Sequence, residues 1–412
     1  MQKKLIALAI AGLMSAPAFA QSNVTLYGTI DYGFTSLGGT DDVWDSGKKI
    51  KARNAIDSGI SKANRIGFKG TEDLGNGLKA VFVLEEGLNG DQGSMFKTVN
   101  RQSYAGLAGG FGTVAFGRHY TPQHLFTSAV DPFGKNGLGS AGNVLIQERR
   151  LNNLLAYISP SFGGFSFIAG YSFNGTGPVT IFQGIPVAPG TPYPTVGGGD
   201  ENYGNAGDIR TWAIAPSFTW NNLFVGANYH NARITGLGQL GLDRSSINAL
   251  DVYEMYASYD FGFVKLGATF GRRITKKTAI DAVTGALLVS PLIPSADNNS
   301  RVTQWMVGAT FKITPSDSIL TSYSRASENK VWDGQDGRPR ISQWAIGYEH
   351  ALSKRTALYA QYAAQSHNNY YKDYGFVSLV TDGPVGYVGA SNLGSNSDAY
   401  RRGFAIGFRH DF

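Results

Sequence analysis

Apolar and polar residues alternate with a period of two along much of this chain. Val24, Leu26, Gly28, Ile30, Tyr32 and Phe34 share one face, with Thr25, Tyr27, Thr29 and Asp31 on the other. Near the end, Phe404, Ile406, Phe408 and Phe412 alternate with Arg401, Gly403, Arg409 and Asp411. Between them, Trp305, Val307, Ala309, Phe311 and Ile313 alternate with Gln304, Met306, Thr310 and Lys312. This period belongs to strands with one apolar and one polar face. Two environments produce it: a half-buried soluble sheet, or a barrel wall with lipid outside and water inside.

Connection lengths decide between them. Seven turns are short and rich in turn residues or charge, at 73–77, 109–110, 161–164, 220–222, 260–262, 314–317 and 352–355. The other connections are long and polar, near 36–60, 88–99, 121–149, 174–208, 235–248, 274–300, 328–340 and 367–398. Several exceed the roughly 12–15 residues usual in a compact domain. Short turns alternating with long loops are the habit of membrane barrels, short on the periplasmic side and long outside. Seven turns and eight loops join sixteen strands. The expected fold is therefore all-β: a transmembrane antiparallel barrel of about sixteen strands. It must close, because hydrocarbon offers no partner to an open edge, and at this size it leaves an aqueous channel.

Composition agrees with this reading. The chain has 54 Gly, 12% aromatic residues, only 16% charged residues and no Cys. Beyond residue 20 it has no apolar run long enough for a membrane helix. Residues 1–20 have the form of a secretory signal peptide. Lys3 and Lys4 precede a short apolar stretch, and Ala18-Phe19-Ala20 supplies a small-x-small cleavage site. Residues 21–412 are then expected to form one barrel domain. The net charge of +6 gives no argument for nucleic acid. The six His lack metal-ligand spacing, and no nucleophile–His–carboxylate group with a recognised spacing assembles. Neither a cofactor, a metal nor an enzymatic reaction is expected.

Specific segments carry a family resemblance. Val24-Thr25-Leu26-Tyr27-Gly28-Thr29-Ile30-Asp31 resembles the opening strand of Gram-negative general-diffusion porins. The run from Arg65 to Gly75, RIGFKGTEDLG, resembles their second strand and first turn. Arg101-Gln102-Ser103-Tyr104-Ala105-Gly106-Leu107, with Phe111-Gly112 and Gly117-Arg118, is similar to strands four and five. The likeness is to the neisserial and other betaproteobacterial porins, and it is dense to about residue 170. It implies a homotrimer in outer-membrane lipid and lipopolysaccharide. It also implies a third loop, 121–148, folded into the barrel as a constriction, and a C-terminal strand read by the barrel-assembly machinery through Phe412 and Phe408. The third loop departs from the family in holding only Asp131 and Glu148 as carboxylates, with Lys135 beside them.

Candidate pore residues follow from parity and resemblance together. In the second strand Ile66 and Phe68 take the lipid side, so Arg65 and Lys69 face the lumen. An Arg facing lipid at mid-bilayer would cost about 2–4 kcal/mol. Parity leaves Arg101 undecided, and the resemblance points it inward. Arg150 follows the third loop directly. The expected constriction sets Arg65, Arg101 and Arg150, with Lys69, against Asp131 and Glu148. More basic than acidic candidates imply passive diffusion of small hydrophilic solutes and ions with a weak to moderate anion preference. The alternative in the same fold is a substrate-selective channel for an anionic nutrient.

Overall fold

In the computed structural model the described residues are 23–38, 52–91, 95–96, 101–134, 137–173, 179–180, 182–183, 195–196, 208–235, 246–276, 299–329, 338–368, 376–377 and 401–412. The signal-peptide reading of residues 1–20, and Lys135, lie outside them.

The wall starts with β1 (Asn23–Gly38). Next to it runs β2, in two pieces, Arg53–Ser58 and Arg65–Gly75. Both pieces pair with β1, one with its loop end and one with its turn end, so they form one strand interrupted at 59–64. Strands β3 (Leu78–Gly87), β4 (Gln102–Gly109) and β5 (Gly112–Tyr120) follow. The third loop then carries a helix, α1 (Pro122–Val130). After it come β6 (Arg150–Ile158), β7 (Phe165–Ser172), β8 (Asp208–Trp220) and β9 (Leu223–Thr235). Strands β10 (Ser246–Asp260), β11 (Val264–Thr275) and β12 (Ser300–Lys312) continue the wall. It is completed by β13 (Asp317–Glu328), β14 (Arg340–Ala351), β15 (Thr356–His367) and β16 (Arg402–Asp411). All sixteen pair antiparallel with their chain neighbours, and β16 pairs back onto β1.

The seam is sealed at its last residue. The Gly28 and Phe412 amides each donate to the other's carbonyl, at 3.1 and 3.2 Å. All seven short turns lie where the sequence puts them. One two-residue turn shows why: Asn76 and Gly77 have φ of 52° and 78°, the left-handed pair that such a hairpin needs to match strand twist.

The alternation has the predicted sense, apolar out and polar in. Val24, Leu26, Ile30, Tyr32 and Phe34 are exposed, whereas Thr29, Asp31 and Thr35 are buried. Phe404, Ile406, Phe408 and Phe412 are exposed likewise. A water-soluble fold reverses this order; a wall in lipid requires it. Ring pairs such as Trp305–Tyr323 and Trp344–Tyr362, at 5.4 and 5.3 Å, stand on the outer face.

Candidate functional site

The third loop lies inside the barrel. Thr121 caps α1 by accepting the His124 amide, and Pro122 occupies the first turn, where its missing N–H costs nothing. Phe126, Val130, Val144, Leu145 and Ile146 then pack on the inward faces of Ala215, Tyr256, Met306 and Ala326. Met306, on the polar face by parity, is thus buried by the loop. A second cluster seats Phe133 and Leu138 on Ala345, Tyr359 and Ala363. Gly267 makes the close approach possible: a Cβ there would stand 1.9 Å from the Val130 carbonyl oxygen.

Polar wall residues fix the loop's backbone. Gln304 accepts the Ile146 amide at 2.9 Å, and the Gln343 side-chain amide donates to the Ser140 carbonyl at 3.1 Å. Gln361 accepts the Leu138 amide at 3.0 Å. Gln123, on α1, donates to Glu254 of β10 at 2.8 Å and accepts the Glu148 amide at 2.9 Å. Such bonds contribute about 0.5–1.5 kcal/mol each and leave few buried loop groups unmatched.

Both candidate carboxylates of the loop serve this anchorage. Asp131 accepts the Phe133 amide at 3.0 Å and the Ala141 amide at 2.8 Å, tying the loop to itself. Burial pushes its carboxyl up to about 7, against the pull of those bonds. Glu148 is held by Arg273 and by His230, each at 2.6 Å. Burial alone would raise it, but Arg273 and the bonded His230 ring outweigh burial and hold it at about 2.

The opposite wall gathers the basic candidates. Arg65 and Arg101 both meet Glu85 of β3, at 3.6 and 2.6 Å. Arg101 also donates to the Tyr120 hydroxyl at 2.7 Å. Arg150 stands over the Tyr120 ring at 6.0 Å, and Lys69 over the Tyr27 ring at 5.3 Å. Tyr27 in turn donates to Glu85 at 3.1 Å. Two arginines therefore share the Glu85 carboxylate, and Lys69 and Arg150 stand over the tyrosine rings beside it.

This arrangement corrects the expected pairing. Asp131 and Glu148 do not oppose Arg65, Arg101 and Arg150. They are buried in the loop's attachment, and the carboxylate that meets Arg65 and Arg101 is Glu85. Parity could not orient Arg101 because that residue precedes β4; its amide and its side chain both bond to Glu85. Glu85 and Arg273 were legible by parity, since Leu84 and Phe270 face outward. Parity likewise turns His230 inward, since Val225 faces outward, but nothing in the sequence named Glu148 as its partner.

Comparison with known proteins agrees with this architecture. A family model described as Gram-negative porin matches residues 7–370. An outer membrane porin protein of Bordetella pertussis is 36% identical over 195 residues, covering 42% of this chain and 49% of the relative. A major outer membrane protein P.IB of Neisseria gonorrhoeae is 38% identical over 171 residues, covering 40% and 47%. The chain thus spans about half the length of the curated relatives it matches. Among solved structures, an anion-selective porin from Comamonas acidovorans aligns with a TM-score of 0.64 at 23% identity, over 95% of this chain and 100% of that one. With lipid-facing residues outside and a closed wall of sixteen strands, the chain is an outer-membrane barrel and belongs to the Gram-negative porin family.

Proposed function

We propose that the protein is a homotrimeric diffusion channel passing small hydrophilic solutes and ions, with a weak to moderate preference for anions. The observation that carries this reading is the basic cluster on β2–β6: Arg65 and Arg101 share Glu85, with Lys69 and Arg150 over the neighbouring rings of Tyr27 and Tyr120. The carboxylates of the facing loop are withdrawn into buried bonds, so the field across the lumen is positive. A structural neighbour from Comamonas acidovorans bears the description anion-selective, and a trimer form is described for one from Vibrio cholerae. Phe412 and Phe408 end the strand that closes the barrel, which supports their reading as an assembly signal.

Planar-bilayer recording in a salt gradient tests the proposal. Stepwise conductance with a reversal potential on the anion side is expected, and a clear cation preference overturns it. Saturable block by one small anion would favour the selective-channel alternative over general diffusion. No reaction is assigned, since the relatives are channels.

A further inference from the structure

The interruption of β2 carries chain into the lumen. Ser58 pairs with Tyr32 and Arg65 with Thr29, so Ile30 and Asp31 stand opposite the whole of 59–64. The surplus turns inward at Gly59, whose φ of 70° suits glycine. Ile60, 1% exposed, packs with Phe133 and Leu138 of the third loop and with Tyr359 of β15. A second piece of chain thus enters the barrel, borne by the wall itself.

One buried residue ties this insert down. Asp31 accepts the Ser61 amide at 2.9 Å and the Lys62 amide at 2.7 Å on the same oxygen. The Tyr359 hydroxyl donates to its other oxygen at 2.5 Å. The Asp31 amide donates to the Asn64 side chain at 2.6 Å, and the Gly59 amide donates to the Asp31 carbonyl at 2.7 Å. Both ends of the insert and its middle are therefore fixed on one residue of β1. Bonds to a charged acceptor are the strong kind, and removing that acceptor leaves two amides unmatched.

What the insert presents is Lys62. Its ammonium meets the Asp411 carboxylate at 2.7 Å, and the two side chains are 36% and 35% exposed. Beside them Arg409 donates to the Ser61 hydroxyl at 3.0 Å and meets Glu349 at 2.7 Å. Parity turns Glu349, Arg409 and Asp411 inward, since Tyr348, Phe408 and Phe412 face outward. The third loop fixes their depth. Its Phe133 ring lies so close to Gly347 that a Cβ there would stand 2.9 Å from it. Glu349 lies turnward of Gly347 on β14, so the group sits on the turn side of the loop's contact with the wall. An ion pair this exposed contributes little to stability. Its charges act instead on the ions that pass.

We propose that Lys62 is a selectivity-determining residue below the third loop, and that Asp31 is the residue that positions it. Lys62 neutralises Asp411, which would otherwise present an uncompensated carboxylate to the lumen and draw cations. The inference rests on the diffusion-channel reading, but its readout is a difference between variants and not the sign of the wild-type preference.

The test records reversal potentials in a salt gradient, with the full-length protein in planar bilayers. The chain has no Cys, so Lys62→Cys offers one thiol to methanethiosulfonate reagents that add an aminoethyl or a sulfonatoethyl group. The first rebuilds a cation near lysine's length, and the second places an anion at the same point. Two unit charges, each acting about twofold through water at roughly 8 Å, should separate the anion-to-cation ratios of the labelled forms about fourfold, the cationic label being higher. In Asp31→Ala/Lys62→Cys the gap should shrink below about twofold, because the insert no longer holds the label in place. Asp31→Asn/Lys62→Cys keeps an oxygen for both amides and should retain the gap. The gap is blind to the charge of Asp31 itself, which both labelled forms share. Equal ratios with the two labels overturn the role of Lys62, and an undiminished gap in the Asp31→Ala background overturns that of Asp31. A cation-preferring wild type that still shows the gap would overturn the anion preference and leave this inference standing. Should Asp31→Ala not assemble, Asn64→Ala, which unfastens the insert's far end, takes its place.

Discussion

Arg273 and Glu148 meet at 2.6 Å with side chains only 1% and 3% exposed, one on the barrel wall and the other at the end of the third loop. The pair fastens the loop where the chain leaves it to begin β6. His230 completes the grip on the second carboxylate oxygen.

Arg273→Met should therefore loosen the loop while leaving the wall intact. Removing one partner of a buried pair typically costs about 3–5 kcal/mol, because the other charge stays buried. Single-channel records should show more frequent closures, and proteolysis within 121–149 should accelerate. Circular dichroism should remain that of the wild-type barrel. Unchanged gating noise and protection would show that the hydrophobic seat holds the loop without the pair.

The loop should also respond to pH through Asp131. Its carboxyl titrates near 7 in the folded protein against 3.8 in the free side chain. Between those values the folded state binds more protons, so loop stability falls as pH rises through the window. The contribution is complete below about 3.8 and gone above about 7. Glu148 acts oppositely but lower, losing its contribution as pH falls from 4.5 toward about 2. Above pH 5, therefore, Asp131 adds a falling slope that Glu148 does not offset. Protection factors of loop amides, which divide out the base catalysis of exchange itself, should fall from about pH 5 to about pH 8 in wild type and fall less in Asp131→Asn. An equal fall in the variant would assign the titration elsewhere.

Glu85 sets the local field, and substitutions on its two sides should have opposite signs. Glu85→Gln leaves Arg65 and Arg101 unneutralised and should raise the anion-to-cation ratio. Arg65→Ser with Arg101→Ser should lower it without abolishing conductance. A unit charge about 8 Å away in water acts with about 0.5 kcal/mol, roughly a twofold change in ion occupancy. Reversal potentials in a salt gradient read both. A shared sign, or no shift in either, would remove this cluster from ion selection.

The wall was legible in the sequence because its physics is local. A strand between lipid and water must alternate, and Val24 to Phe34 could be oriented without any knowledge of neighbours. Turn chemistry at Asn76-Gly77 was equally local. The charged contacts were not. Glu148 finds Arg273 across 125 residues, a partnership fixed by how the loop lies in the lumen rather than by any spacing. Arg101 marks the boundary between the two cases: it precedes β4, so the parity rule has no hold on it. The first half of β2, Arg53–Ser58, falls inside the loop read at 36–60, because a six-residue piece cut off at 59–64 is too short to stand out by alternation.

Gly267 offers the sharpest test of where the loop lies. It sits on β11 beneath the end of α1, and any Cβ there would meet the Val130 carbonyl oxygen at 1.9 Å. Contact that short cannot be absorbed by a rotamer change, because the obstacle is backbone. Gly267→Val must therefore lift the end of α1 from the wall, and overpacking of this kind typically costs about 1–3 kcal/mol. The strand itself should tolerate the change, since Val favours extended backbone. The Lys265 bond to the Ala129 carbonyl, 3.0 Å long, would be lost with it. Displacement is toward the lumen, the one direction open to the loop, so unit conductance should fall while strand content is preserved. Gly110→Val, at a turn with no neighbour near its Cβ position and no positive φ, serves as the control for barrel assembly. Wild-type conductance in Gly267→Val would mean that the loop does not rest on β11.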